Sequence, residues 1–168
     1  MDAKREWTSE DEWFMRMALD EAAKARDEGN SPTGAVIVRN GEVVERGHNE
    51  VYTTFDVTAH AETVALRRLT INRKQLNPGF QAKSGPFADC TLYVTTEPCP
   101  MCLWSTCITG ISRLVVGARH ADVGPYGAYT MEKLIAMTAR TIDVVTGVLA
   151  ADCVATYRSS PRYRPGPR

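Results

Sequence analysis

Two short segments constrain this chain more than any other feature: His60-Ala61-Glu62 and Pro98-Cys99-Pro100-Met101-Cys102. The first lies at the start of a stretch that reads as a helix. The second lies where a β-rich run, Cys90 to Thr95, passes into a helical stretch from Pro100 to Thr109. A catalytic zinc takes three protein ligands and leaves the fourth position to water. Cys99 and Cys102 are three apart, which puts both sulfurs on one side of a first helical turn. Free N–H groups and the helix dipole there favour the thiolate that binds metal. His60, at another helix start, can swing a ring nitrogen to the same point. Any fold for this chain has then to bring these two helix starts together.

Zinc lowers the pKa of a bound water from about 15.7 toward roughly 7. Glu62, two residues after His60, is close enough to face that water without being a ligand. It would take the water proton, pass it to a ring nitrogen of a substrate and then protonate leaving ammonia. Such general acid–base catalysis is typically worth about two to four powers of ten. Other readings of the motif stand beside this one. A C-x-x-C alone serves equally well as half of a structural zinc site or as a redox pair. A structural site needs a fourth ligand, and the remaining candidates are Cys90, Cys107, Cys153, His48 and His120, none in a second paired motif. Redox chemistry requires neither H-x-E nor a proline before the first cysteine. A non-enzymatic structural zinc protein is the alternative of another class.

The 168 residues, 43% apolar and 24% charged, suit one soluble domain with a sizeable core. Twenty basic and twenty acidic residues cancel, which lowers the expectation of a dedicated nucleic-acid binder. No apolar run approaches the roughly 18 residues that span a bilayer. Met1 to Asp11 is charged and lacks an apolar core, so a cytoplasmic chain without membrane contact is expected. Five cysteines are an odd count, which in a reducing compartment favours metal or redox chemistry over disulfides.

Ser9 and Glu12 read as a capping box for a first helix. Its stripe is Trp13, Phe14, Met17, Ala18, Ala22 and Ala25, and Gly29-Asn30 stops it. Ala35–Val38 and Glu42–Glu45 form a hairpin about Asn40-Gly41. A helix from Ala59 to Leu69 follows, capped by Thr58, and then an exposed loop over 72–89 that could act as a lid. Leu114–Val116 is a fourth strand and Ile142–Val145 a fifth. Helices are expected near Met131–Met137 and over Leu149–Arg158, with a Gly-rich turn at Gly124 and Gly127 before the former. These elements give an α/β layered fold with a mixed five-stranded sheet, strands 4 and 5 parallel. One domain is expected over 1–158, with a flexible basic tail over 159–168.

The order H-x-E then P-C-x-x-C is the signature of zinc nucleobase deaminases, and the sequence resembles the cytidine-deaminase-like superfamily. The likeness runs from Glu12 to Arg158. It includes Pro32-Thr33-Gly34-Ala35-Val36, Gly47-His48-Asn49, Asp56-Val57-Thr58-Ala59-His60-Ala61-Glu62 and Val116-Gly117-Ala118-Arg119. It implies a three-layer α/β/α fold, one Zn2+ per chain, a homodimer or higher oligomer and hydrolytic release of ammonia. It also implies substrate hydrogen bonds from Asn49 and the Ala61 N–H, with the Pro98 carbonyl receiving the leaving amine. Thr33 stands where the family has an apolar pocket residue, and Trp104 where it has glycine. Val57 stands for the usual proline.

Two substrate classes compete for the deaminase reading, beside the structural zinc protein already named. His120-Ala121-Asp122 resembles the His-x-Asp of guanine deaminases, and Asp122 would accept from a guanine edge. With the neutral charge, this favours a small-molecule substrate, a free nucleobase or nucleoside, guanine first and cytosine second. The alternative is a tRNA adenosine deaminase, which the layout from Arg119 to Arg158 resembles. There Arg158, Arg162, Arg164 and Arg168 would touch phosphate. Aromatic candidates to hold the base are Trp104, Tyr126, Tyr129 and Phe55, with Tyr126 and Tyr129 nearest the expected pocket mouth.

Overall fold

The computed structural model describes residues 6–76, 85–124 and 127–164. Helix α1, Ser9–Asp27, opens at Thr8, whose hydroxyl accepts from the Asp11 N–H while the Asp11 carboxylate accepts from the Thr8 N–H. The capping box therefore sits one residue earlier than the Ser9–Glu12 pair suggests. Its core-facing side includes Phe14, Met15, Ala18, Ala22 and Ala25, and Trp13 points to solvent with 61% exposure. Strands β1, Gly34–Arg39, and β2, Glu42–His48, turn on Asn40 and Gly41 at φ 53° and 77°. These two left-handed residues match the twist of a two-residue hairpin.

After the short helix α2, Val51–Thr54, comes α3, Ala61–Leu76. Strand β3, Cys90–Thr96, leads into α4, Pro100–Thr109, then β4, Arg113–Ala118. A one-turn helix α5, His120–Val123, precedes α6, Met131–Ala136, strand β5, Asp143–Thr146, and α7, Ala150–Arg158. The sheet order is β2-β1-β3-β4-β5. β1 is antiparallel to β2 and β3, while β3–β4 and β4–β5 are parallel, so the expected mixed sheet is present.

Alternation along the central strands builds the three layers. Ala35, Ile37, Leu92, Val94, Leu114 and Val116 pack with Leu66 and Leu69 of α3, Leu103 and Cys107 of α4, and Met131 of α6. Val36, Val38, Tyr93, Val115 and Val145 pack on the opposite face with Phe14, Met15 and Ala18 of α1 and Cys153 of α7. Edge strand β2 is mostly half-buried and carries charge at Glu42, Glu45 and Arg46, which discourages pairing with another chain.

Three local expectations change. Helix α3 begins two residues later than expected and runs on to Leu76, so the start of the 72–89 stretch is helical. Residues 77–84 lie outside the described part, and beyond them Phe87 is fully buried rather than exposed. α5 adds a helical turn between β4 and the Gly124–Gly127 turn, where the sequence reading placed no element. One glycine fixes the approach that matters for function. A Cβ on Gly47 would collide with the Ala61 carbonyl and stand 2.7 Å from the Ala65 nitrogen. Only glycine lets the start of α3 lie this close to the end of β2.

Candidate active site

That close approach sets His60 beside Asn49. Before α3, the Asp56 carboxylate accepts from the Thr58 N–H and hydroxyl at 2.8 and 2.6 Å, and the His60 N–H donates to the Thr58 carbonyl. This turn places His60 immediately before the first helical residue. Three residues past the end of β3, Cys99 is the N-cap of α4, Pro100 follows at the first turn, and the Leu103 N–H closes on the Cys99 carbonyl at 2.9 Å. Proline is suited there because its missing N–H has no helical partner to lose.

His60 Nδ1 lies 3.6 Å from both Cys99 Sγ and Cys102 Sγ. Zn–S bonds of about 2.3 Å and a Zn–N bond of about 2.0–2.1 Å, at tetrahedral angles, place sulfur and nitrogen about 3.6 Å apart. The three donor atoms lie within 4.8 Å of one another, and two thiolates with an imidazole form a donor set suited to zinc. The residues present therefore fit the ion. Hydrogen bonds from the Cys102 thiol, from the His60 ring and from the Cys102 N–H bring the Cys99 thiol down to about 4, against burial. The same bond to Cys99, with burial, pushes the Cys102 thiol well up. Glu62 is 6% exposed. Burial pushes its carboxyl above the usual range, and the Cys99 thiolate adds to the rise. Among the described residues no lysine or arginine forms an ion pair with it.

A cavity of about 130 Å³ joins Thr33, Asn49, His60, Glu62, Cys99 and His120. Val123 and Tyr157 also line it. Asn49 is buried; its N–H donates to the Thr33 carbonyl and its Oδ1 accepts from the Val51 N–H at 3.2 Å. Ala61 is the first residue of α3, where backbone N–H groups lack helical partners. The Pro98 carbonyl accepts the Tyr129 hydroxyl at 2.9 Å. Beneath it the buried Glu97 carboxylate accepts from Arg119 Nε at 2.7 Å and from the His120 N–H at 3.0 Å, tying the ends of β3 and β4 together.

Other expected contacts fall elsewhere. Trp104 is on the outer face of α4, beside Ile108 and Met137, and lines a separate groove of about 450 Å³. Its position two residues after Cys102 turns it away from the ligand side. Asp122 is exposed; its carboxylate accepts from the Arg119 N–H and so caps α5 instead of facing the cavity. Phe55 is 93% exposed, and Tyr126 lies outside the described residues. Local reasoning does not place Glu97, His120 or Tyr157 on this cavity, His120 having entered only as a possible structural zinc ligand and in the His-x-Asp likeness. Glu97 and His120 adjoin recognised motifs, which is a usable signal. Tyr157 reaches the cavity only through the packing of α7, which no local pattern records.

Residues 8–118 match the family of the cytidine and deoxycytidylate deaminase zinc-binding region. Among curated relatives, the tRNA-specific adenosine deaminase of Bacillus subtilis is 36% identical over 86% of this chain and 84% of its own length. That of Haemophilus influenzae is 35% identical over 91% and 84%. The chloroplastic tRNA(adenine(34)) deaminase of Arabidopsis thaliana is 43% identical over 71% of this chain, which spans only 8% of that much longer protein. Among solved structures, one from a study of tRNA:A34 deaminases superposes with TM-score 0.70 at 29% identity, covering 86% of this chain and 98% of that one. The guanine deaminase of Nitrosomonas europaea superposes at 0.71 with 26% identity, covering 95% and 88%.

These likenesses overturn the expectation of a free nucleobase or nucleoside, guanine first, with tRNA the lesser partner. The curated relatives at 34–43% identity carry tRNA deaminase names, whereas guanine deaminase enters as a structural neighbour. The residue behind the guanine reading, Asp122, is engaged in capping α5. With the fold, the convergent ligand set and the family match in agreement, the chain belongs to the cytidine and deoxycytidylate deaminase family and is a zinc-dependent hydrolytic deaminase.

Proposed function

We propose that this chain is a tRNA-specific adenosine deaminase, which converts the wobble adenosine of an anticodon loop to inosine and releases ammonia. The observation that carries the reading is a cavity holding Asn49, Glu62 and the zinc ligands, in a chain 34–43% identical to proteins named for that reaction. Zinc held by His60, Cys99 and Cys102 supplies the acidity that makes a water nucleophilic at neutral pH.

The remaining work falls to the protein's own groups. Glu62 takes the water proton and delivers it to ring N1. It then carries the second proton to the amine on C6, so that the C6–N bond breaks as the C6 carbonyl forms. Burial suits the Glu62 carboxyl to both halves of this exchange. The Val51 N–H holds Asn49 Oδ1, so the Asn49 Nδ2 faces the base as a donor to a ring acceptor. The Ala61 N–H is a second donor, and the Pro98 carbonyl accepts from the departing amine. Self-association through α4 belongs to the same proposal. Trp104, Ile108 and Met137 form an exposed apolar patch there, of the kind that marks interfaces.

The test is ammonia release by zinc-loaded protein from a tRNA with adenosine at position 34, the same tRNA with guanosine there, and free adenosine, guanine and cytosine. Release from the adenosine tRNA alone, falling steeply with salt, is expected. Salt-insensitive release from a free base, with the tRNA untouched, would overturn the reading.

A further inference from the structure

Between β3 and α4 run Glu97, Pro98 and Cys99, which belong to neither element. Buried backbone groups in such a connection need partners from elsewhere. The Glu97 N–H donates to the Ala118 carbonyl at 2.8 Å, and the Cys99 carbonyl accepts the Leu103 N–H. Pro98 is buried and has no N–H to give; its carbonyl accepts the Tyr129 hydroxyl at 2.9 Å. The Tyr129 ring packs on His120, a wall of the cavity that holds Glu62, with centroids 5.7 Å apart and planes tilted by 55°.

The hydroxyl is not needed to anchor its own segment. Thr130 caps α6 by accepting from the Lys133 N–H at 3.3 Å, and Met131 is fully buried. Glu132, in the first turn of α6, accepts from Arg119 Nη2 at 2.8 Å, and Arg119 in turn binds Glu97. The start of α6 is thus tied to the end of β3 without Tyr129. Burial, with the Glu97 carboxylate nearby, pushes the phenol up, so it stays a donor. A carbonyl oxygen carries two lone pairs. Tyr129 takes one from Pro98 and leaves the other for a second donor.

We propose that Tyr129 is a positioning residue for the leaving amine: its hydroxyl fixes the Pro98 carbonyl so that the remaining lone pair meets the departing ammonia. As the C6–N bond breaks, its electron pair stays on nitrogen, Glu62 supplies the proton, and the C6 carbonyl forms. Ammonia then leaves carrying N–H groups that need an acceptor. Because the amine is released only as the bond breaks, the contact counts in the transition state rather than in substrate binding. This deepens the tRNA reading above and rests on its assignment of the amine to Pro98.

The experiment compares wild type with Tyr129→Phe, as full zinc-loaded chains, on an anticodon stem–loop RNA under single-turnover conditions. The variant keeps the ring against His120 and loses only the donor. Its rate constant at saturation should fall by about three- to tenfold, the worth of one hydrogen bond, while half-saturation stays within about twofold. A second RNA carries purine ribonucleoside at the target, with hydrogen in place of the 6-amine. It has no amine to release, so its inhibition constant should agree between the two proteins within about twofold. The same RNA counts intact sites, so a poorly folded variant shows as lost binding capacity and its rate is expressed per site. An unchanged rate constant on adenosine, or a matching loss of affinity for the purine RNA, would overturn the positioning role alone. Wild-type protein that leaves the stem–loop adenosine intact would overturn the tRNA reading and this role with it.

Discussion

Asp11 and Glu62 are both buried carboxylates, at 1% and 6% exposure, in regions that treat them in opposite ways. Asp11, in the first turn of α1, accepts from the Thr8 N–H at 2.9 Å, the Tyr93 hydroxyl at 3.0 Å, and Arg113 at 2.7 and 3.0 Å. Burial alone would raise its carboxyl; Arg113, Thr8 and Tyr93 together bring it down to about 2. It stays charged and ties α1 to β3 and β4. Among the described residues no arginine or lysine pairs with Glu62, and burial beside the Cys99 thiolate pushes its carboxyl up. One environment fixes a charge in place, whereas the other keeps a proton exchangeable. Burial alone does not separate a structural carboxylate from a reactive one, but the identity of its donors does.

The contrast breaks first at Glu62. Glu62→Gln should lower kcat by about two to four powers of ten, with zinc content and Tm retained. Turnover that survives would make Glu62 no more than a wall residue. Asp11→Ala should act on the other side of the comparison. It removes one of the two carboxylates on the half-buried Arg113, Asp143 at 3.4 Å being the other, and takes the acceptor from the Tyr93 hydroxyl; it should destabilise by about 1–3 kcal/mol, read by urea unfolding, with kcat per folded molecule unchanged.

His48 sharpens the contrast with a cation in the central role. Its Nδ1 and Nε2 lie 3.1 Å from Glu21 and Glu28 respectively, with Glu50 3.9 Å away. Lys24 binds Glu21 and Arg68 binds Glu50 around it. Two carboxylates on two ring nitrogens demand the imidazolium, and the Glu21 bond raises its pKa. Because the folded value is the higher one, its contribution is full below about pH 6.5 and is lost as pH rises through the folded value. Glu21, lowered to about 2 by His48 and Lys24 against burial, contributes above about pH 4.5 and is lost as pH falls toward 2. His48→Gln should therefore cost about 1.5–3 kcal/mol at pH 6 and flatten the alkaline fall in Tm. An unchanged Tm–pH curve would show that the bridge carries no charge. The smallest effect belongs to Trp104→Ala, within about 0.5 kcal/mol of monomer stability. Light scattering should nonetheless show weakened self-association; an unchanged assembly would remove α4 from the interface.

The metal site was legible because its chemistry is local. Cys99 and Cys102 sit at a helix start marked by proline, and the bounds of α4 agree with the apolar pattern from Pro100 to Thr109. The short apolar runs of β1, β3 and β4, buried almost without interruption, likewise revealed the sheet. Strand β2 runs three residues farther than expected, to His48, because Arg46 and Gly47 hide a strand whose edge is half-exposed. Trp104 and Asp122 misled for a shared reason. Position near a motif does not say which side of a turn a residue faces, and each lies on the side away from the cavity. The reading of the substrate from Asp122 failed with it. Tyr157 and the Tyr129–Pro98 contact depend on α7 and the 127–130 segment folding back over the cleft, so they exist only in tertiary structure.

The most direct measurement follows the wobble adenosine itself, with inosine formation and zinc content read on the same samples. Wild-type protein should carry one zinc per chain and convert the adenosine of an anticodon stem–loop to inosine. Glu62→Gln should carry the same zinc and leave the adenosine intact. Inosine formed at an undiminished rate by Glu62→Gln would contradict the account, as would a zinc-loaded wild type that leaves the RNA unchanged.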